Sequence, residues 1–244
     1  LEGSTRSMKI NGKTYKEGQI FSLNGSKGFV YDTAIETMDA SENPRFIEYM
    51  KIVDKYRVLG VRTNADTAYD AKNALNMGAE GIGLFRIEHM FYGRNSDEPL
   101  AKLRKMILSN TKEEREVALK ELRPFLIQAI KDTLKVMDGK PVTFRLLDPP
   151  LHEFVPHTIE KQKEFAEMLG VSIEDIRKRG ESLNEVNPMM GHRGVRLGIS
   201  YPEISKMQFE AIFIATAQLI KGGFNPLPEI MIPVTVSENE LSFQ

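Results

Sequence analysis

Twice in this chain an arginine and a nearby acidic residue follow directly on a short apolar run. Residues 78–91 read GAEGIGLFRIEHMF, in which Ile82-Gly83-Leu84-Phe85 delivers Arg86 and Glu88. Residues 141–154 read PVTFRLLDPPLHEF, in which Val142-Thr143-Phe144 delivers Arg145, Asp148 and a double proline. Small residues at Ala79, Gly81 and Gly83 suit a tightly buried parallel strand. In parallel α/β proteins ligands sit at the C-terminal ends of the strands. Planar guanidinium groups bind phosphate and carboxylate through paired hydrogen bonds that lysine cannot reproduce. Arg86 and Arg145 are therefore candidate anion binders at one mouth, if their strands are neighbours. For Arg86 and Glu88 the competing reading is a structural ion pair at a strand end, because a charge buried there needs a partner. Residues 187–197, NPMMGHRGVRL, place His192, Arg193 and Arg196 close together. For His192 a hydrogen-bonded structural role competes with a catalytic one.

The elements that must position these groups are legible along the chain. Two β-like runs, residues 18–23 and 28–31, flank the turn Asn24-Gly25-Ser26-Lys27 and predict a hairpin. A lone hairpin cannot be stable by itself, so it must belong to a larger sheet. Residues 33–54 turn helical, with Asn43 as a cap and Pro44 in the first turn. Residues 56–61 predict a strand leading to Arg62, which either faces the mouth of Arg86 or pairs with Asp66 at the rim. Asp66 or Thr67 can cap a helix over 68–77. The next strand, ending at Arg86, completes a βαβ pattern and so a parallel pairing. Residues 99–137 are helical, with Pro124 expected to break or kink them and the charge run 112–115 expected to be a solvated face. Two helices, 158–169 and 172–183, form an insertion before residues 187–197, the next core element. A long amphipathic helix over 201–222 and a fifth strand over 227–236, containing Glu229, complete the chain.

Composition excludes some classes. The chain has 244 residues, 41% of them apolar, and a formal net charge of -1, which gives no electrostatic reason to expect nucleic acid or an anionic membrane as partner. No apolar run approaches the roughly 20 residues of a bilayer span. There are no cysteines, which excludes disulfides and thiolate metal sites. The first residues, LEGSTRSMKING, lack the apolar core of a secretion signal, so a cytoplasmic protein is expected. Gly81-Ile82-Gly83 is only a fragment of a nucleotide-binding glycine pattern.

The three motifs GAEGIGLFRIEHMF, RLLDPPLHEFVPHT and NPMMGHRGVRL resemble, in order and spacing, the phosphoenolpyruvate-binding barrel of the pyruvate, phosphate dikinases, in the phosphoenolpyruvate-utilising enzyme family. The related phosphoenolpyruvate synthases and sugar-phosphotransferase enzyme I share the strand-end arginines but not LDPPLHEF. The resemblance covers residue 8 to the end. It implies an α/β chain: a partial TIM-like (β/α)8 barrel with about five strands, preceded by a short N-terminal β remnant and a helical linker. The implied divisions are 1–32, the end of a swivelling phosphohistidine domain; 33–55, the linker helix; and 56–244, the partial barrel.

It also implies a function. The parent enzyme interconverts ATP, phosphate and pyruvate with AMP, diphosphate and phosphoenolpyruvate through a phosphohistidine. Arg86 and Arg145 resemble the arginines that hold the transferring phosphoryl group, Arg193 a third substrate arginine, and Arg62 a further candidate. Glu88, Asp148 and His192 would orient them. The implied partners are phosphoenolpyruvate or pyruvate and the phosphohistidine and ATP-binding domains, in a parent expected to be a homo-oligomer. A Mg²⁺ ion would bridge phosphate and enolate oxygens, but the family's metal ligands and the cysteine acid that protonates the enolate belong to motifs beyond Gln244. The chain departs from the pattern at Phe85 and Ile87, where cysteine and threonine are expected. The expectation is a piece without a complete active site, inactive alone. The alternatives are a phosphoenolpyruvate synthase piece and a non-catalytic anion-binding module.

Overall fold

The computed structural model describes residues 5–91, 96–148, 151–156, 158–183 and 187–244. The double proline and His157 of the second motif lie outside these residues. The chain divides into two compact units, residues 1–57 and 58–244.

The first unit is built from two separate hairpins and a helix. Strands β1 (Ser7–Ile10) and β2 (Lys13–Lys16) pair antiparallel, as do β3 (Ser22–Asn24) and β4 (Phe29–Tyr31). The β3–β4 hairpin is the one expected. The β1–β2 hairpin was not, although its signal stands in the sequence: Asn11-Gly12 takes φ of 50° and 81°, the two positive values that a two-residue hairpin turn requires. Helix α1 (Pro44–Tyr56) starts as anticipated, with the Asn43 side chain accepting from the Arg45 N–H at 3.0 Å. None of the described residues of this unit is buried.

The second unit holds the core. Its strands β5 (Arg62–Asn64), β6 (Gly81–Arg86), β7 (Pro141–Arg145) and β8 (Leu227–Met231) form one parallel sheet in the order β5-β6-β7-β8. Helix α2 (Ala68–Asn76) connects β5 to β6. Helices α3 (Asp97–Leu108) and α4 (Lys112–Val136) lie between β6 and β7. Helices α5 (Ile159–Leu169), α6 (Ile173–Leu183), α7 (Gly194–Ser200) and α8 (Pro202–Lys221) lie between β7 and β8, and α9 (Glu238–Phe243) follows. Parallel strands alternating with helices are the pattern of a partial (β/α) barrel, and the sheet is not closed. Among the described residues no helix is long and apolar enough to cross a membrane.

Four expectations need correction. The sheet has four strands, not about five, because residues 187–197 form a 3₁₀ turn (Pro188–Met190) and the start of α7. The first strand is Arg62–Asn64 and not 56–61. Tyr56 still ends α1, and Val58 and Leu59 are 96% and 81% exposed, without the side-chain burial that rewards a strand. Of the break or kink expected at Pro124, the break does not occur, since α4 runs 25 residues through it; the tertiary burial of Leu119, Leu122, Leu126 and Ile130 outweighs the single hydrogen bond a proline removes. The run 112–115 is not all solvated. Arg115 is 6% exposed, bonds Glu203 of α8 at 2.6 Å and lies 4.0 Å from the Tyr201 ring centroid.

The two faces of the sheet differ, as the alternation of side chains along a strand requires. Ile82, Phe85, Val142 and Phe144 belong to the core shared with α4 and α8, with Ile230 packed against it, and the register of β6 shifts between Ile82 and Phe85. Phe85 and Phe144 are cross-strand partners whose rings meet edge-on at 5.0 Å, a contact that contributes about 1 kcal/mol beyond its burial. Arg62, Thr143 and Glu229 meet across the sheet, over the bare backbone of Gly81 and Gly83. A Cβ on Gly81 would stand 2.9 Å from the Pro141 carbonyl oxygen and 3.3 Å from Arg62 Cγ. The glycines make room for an arginine laid across the strand.

Candidate functional site

Arg86 is the last residue of β6 and Arg145 the last of β7, and they are cross-strand partners. Adjacent strands lie about 4.8 Å apart, so the two arginines stand side by side at one end of the sheet. Each is held by an acid from elsewhere in the chain. Asp66, in the loop after β5, accepts the Arg86 backbone N–H at 2.9 Å through Oδ1 and its guanidinium at 3.1 Å through Oδ2. His89 Nδ1 lies 2.8 Å from that same Oδ2. Glu88, in the 3₁₀ turn Ile87–Phe91 that follows β6, pairs with Arg145 on the neighbouring strand. The Arg86–Glu88 pair of the competing reading is thus exchanged for two others, Asp66 with Arg86 and Glu88 with Arg145.

Arg193 joins the group through Asp148. Asp148 Oδ2 lies 3.3 Å from Arg145, and Arg193 donates to Asp148 Oδ1 at 3.1 Å and Oδ2 at 3.2 Å. Asp148 is 5% exposed, so it bridges two guanidinium groups in a dry setting. The loop that carries it is pinned by Leu146 N–H to the Met231 carbonyl at 3.0 Å and Leu147 N–H to Gln208 Oε1 at 2.7 Å. Gly194, next to Arg193, has φ 56°; a Cβ there would lie 2.8 Å from the Pro233 carbonyl oxygen and 3.1 Å from Asp148 Oδ1. Only glycine both takes that backbone conformation and lets this turn approach the carboxylate. His192 packs 5.5 Å, centroid to centroid, from Tyr201.

Arg62 takes neither expected position. It does not pair with Asp66 but donates to Glu229 Oε2 at 2.5 Å, and the Thr143 hydroxyl donates to the same oxygen at 2.7 Å. These bonds, that from Arg62 foremost, hold the Glu229 carboxyl below its usual range. Thr143 and Glu229 are partners two residues before Arg145, so this cluster lies about 7 Å along the strands below the arginine pair. Thr67, not Asp66, caps α2, accepting the Asp70 N–H at 3.1 Å.

Charge accounting decides what the mouth can hold. Arg86, Arg145 and Arg193 are matched by Asp66, Glu88 and Asp148, so their positive charge is offset within the chain. Capacity remains in the donors, because a guanidinium carries five N–H groups. Among the described residues, buried Arg145 Nε and Glu88 Oε2 have no hydrogen-bond partner. Glu88 is 2% exposed, and burial raises its carboxyl above the usual range, an effect that Arg145 opposes. A Mg²⁺ ion needs oxygen ligands in near-octahedral array. Asp66, Glu88 and Asp148 are each committed to a guanidinium, and among the described residues no three acidic, histidine or cysteine side chains are grouped to hold a metal. These residues do not fit the ion.

Sequence reasoning missed Asp66 and His89 as partners of Arg86. The residue types were visible, but the loop that folds Asp66 back over β6 was not.

Residues 41–244 match the family model described as PEP-utilising enzyme, PEP-binding domain. The chain is similar to pyruvate, phosphate dikinase of Clostridium symbiosum, 47% identical over 244 residues, which cover 100% of this chain and 28% of the relative. It is similar to pyruvate, phosphate dikinase of Giardia intestinalis, 48% identical over 238 residues, 98% of this chain and 27% of the relative. The chloroplastic pyruvate, phosphate dikinase of Mesembryanthemum crystallinum is 44% identical over 237 residues, 96% of this chain and 25% of the relative. The chain thus spans about a quarter of the length of these curated relatives. By the match over residues 41–244, it belongs to the PEP-utilising enzymes, within their PEP-binding domain.

Proposed function

We propose that this chain supplies the arginine-lined part of the phosphoenolpyruvate site of a pyruvate, phosphate dikinase. The observation that carries the reading is the cross-strand placement of Arg86 and Arg145 at the strand ends, with Arg193 tied to Arg145 through Asp148. Phosphoenolpyruvate presents a phosphate and a carboxylate, and both are matched by planar forks. In transfer to a histidine, the bond from phosphorus to the enol oxygen breaks and a phosphorus–nitrogen bond forms. The electron pair stays on the enolate oxygen. Arg86 and Arg145 hold the phosphoryl group in line and offset the charge that builds on its oxygens, which is most of what such a transfer needs. Arg193 is assigned to the substrate with them, Glu88 and Asp148 to orienting the forks, and Arg62 to the layer beneath.

The phosphohistidine, the ATP-binding domain, the Mg²⁺ ligands and the enolate acid are assigned to other parts of a longer protein. A cytoplasmic setting and a homo-oligomeric parent belong to the same proposal. Residues 1–32 are assigned to the end of a swivelling phosphohistidine domain and 33–55 to its linker. On this reading the chain alone binds phosphoenolpyruvate weakly and does not turn it over, because holding the ground state does not lower the barrier.

The test is calorimetry of phosphoenolpyruvate on the chain, with phosphoryl exchange onto a separately prepared phosphohistidine domain. Binding that is lost in Arg86→Ala and Arg145→Ala supports the site. No binding, or binding indifferent to both substitutions, overturns it. Exchange above background that depends on Arg86 would show that the missing groups are not essential. Binding without exchange, even in a full-length parent, would favour the non-catalytic anion-binding module. A full-length parent active without phosphate would favour a phosphoenolpyruvate synthase.

A further inference from the structure

Asp66 serves Arg86 in two ways at once, and the geometry separates it from an ordinary rim ion pair. Strand β5 ends at Asn64, and the last backbone bond of its ladder runs from Ala65 N–H to the Leu84 carbonyl at 3.2 Å. Beyond that point β5 offers β6 no further partner. The Asp66 carboxylate takes over: Oδ1 accepts the Arg86 backbone N–H at 2.9 Å, as the next carbonyl of a strand would. Oδ2 accepts the guanidinium of the same residue at 3.1 Å. One side chain therefore fixes both the backbone end and the charged tip of Arg86, leaving little freedom to the torsions between.

His89 completes the clamp. Its Nδ1 lies 2.8 Å from Asp66 Oδ2 and 3.2 Å from the Arg86 guanidinium. A single ring nitrogen cannot donate and accept in the plane at once. A guanidinium is only a donor, and the carboxylate is the shorter contact, so Nδ1 carries its proton toward Asp66. Oδ2 then accepts from both Arg86 and His89, and the arginine is wedged between an acid and a ring.

We propose that Asp66, supported by His89, is a positioning residue for Arg86, holding its guanidinium at the strand-end mouth before any anion arrives. The inference builds on the proposed phosphoenolpyruvate site, but its first readout does not depend on that site being correct. The guanidinium Nη–H signal of Arg86, the group that Asp66 accepts, assigned through its loss in Arg86→Lys, reports the order of the guanidinium in the ligand-free chain. In the wild type it is expected to be slow in hydrogen exchange, and in Asp66→Ala at least about tenfold faster, the factor that about 1.4 kcal/mol of lost restraint produces. Asp66→Asn keeps one carbonyl oxygen for the backbone N–H and loses the charge, so intermediate exchange with an unchanged melting temperature is expected. His89→Phe removes the ring donor and should give a smaller acceleration. Equal exchange in wild type and Asp66→Ala overturns the proposal, whatever the chain binds.

The second readout is a double-mutant cycle on phosphoenolpyruvate affinity. Asp66→Ala should weaken binding in the wild-type background and have no further effect in Arg86→Ala. An additive loss in both backgrounds would mean that Asp66 acts on its own, and would overturn positioning through Arg86. If the wild-type chain binds no phosphoenolpyruvate, the proposed function fails, while the exchange measurement still decides the role of Asp66.

Discussion

Arg86 and Arg145 are partners on the last rung of the β6–β7 ladder, one rung beyond the Phe85–Phe144 pair. The phenylalanines are buried against the helices, so the packed core sets the register that brings the arginines together. A one-residue slip would exchange buried phenylalanine for arginine on the core side, which is why this register is strongly specified. The placement of the two arginines is thus fixed by hydrophobic packing one residue away.

The two arginines should nevertheless differ in their effect on stability. Side chains of Glu88 and Asp148, which face Arg145, are 3% and 7% exposed, whereas Asp66, which faces Arg86, is 18% exposed. Removing one partner of a buried pair leaves an uncompensated charge and costs about 3 kcal/mol or more. Arg145→Ala is expected to lower the urea unfolding free energy by about that much, and Arg86→Ala by clearly less. Adding Glu88→Gln to Arg145→Ala should recover part of the loss, since it neutralises the stranded acid. Equal destabilisation by the two alanine variants, with no recovery, would count against this account of the burial.

Glu88 also predicts a pH dependence with a definite sign. Burial raises its folded-state carboxyl above the ordinary value of 4.5. The folded state therefore binds its proton more tightly than the unfolded state does. Its contribution to stability is fully present below 4.5 and is lost as pH rises through the folded value. Glu88→Gln carries no titrating proton, so wild type should lose stability relative to this variant as pH is raised from below 4.5 toward neutrality. The carboxyls shifted downward, including Asp39, Glu121 and Asp175, are common to both proteins and cancel in the difference. A flat difference between the two urea titrations across that window would refute the assignment.

Gly194 should tolerate no side chain, for two separable reasons. Its φ of 56° costs an L-residue about 1–2 kcal/mol, and a Cβ would press on the Pro233 carbonyl oxygen at 2.8 Å and on Asp148 at 3.1 Å. Gly194→Ala is expected to destabilise by about 2 kcal/mol or more and to loosen Asp148 from Arg193. Asparagine accepts positive φ more readily than alanine but is larger. If Gly194→Asn melts below Gly194→Ala, the close approach dominates; the reverse order would assign the requirement to backbone strain.

The strand-end arginines, the β3–β4 hairpin, the cap at Asn43 and the apolar stripe of α8 were all legible because each rests on local pattern. Ile204, Met207, Ala211, Ile212, Ala215 and Leu219 are all buried, as their spacing requires. What escaped depends on groups distant in sequence. Arg62 meets Glu229 across 167 residues, Glu88 meets Arg145 across 57, and Arg115 meets Glu203 across 88. No periodicity encodes which acid an arginine finds. Residues 187–197, expected as the next core element, do bury Val195 and Leu197, but Met189 and Met190 are exposed; so short an apolar run does not distinguish a short helix from a strand.

Arg62 gives the sharpest test of where the proposed anion site ends. It was expected either beside Arg86 or on Asp66, and it lies on Glu229 instead. The Arg62 and Glu229 side chains are 42% and 46% exposed, so the pair contributes on the order of 1 kcal/mol or less to stability. Its level, with Thr143 and two residues below Arg145, puts it under the mouth rather than in it. Arg62→Ala should therefore change the melting temperature little and weaken phosphoenolpyruvate by less than about threefold. Arg86→Ala and Arg145→Ala, which on the proposed reading remove charge-assisted bonds to the ligand, should each cost about tenfold or more. Glu229→Gln should behave like Arg62→Ala, since it loosens the same pair. If Arg62→Ala instead matches the strand-end variants while Glu229→Gln strengthens binding, Glu229 is withholding Arg62 from the anion. The site would then extend down the sheet to the layer of Thr143.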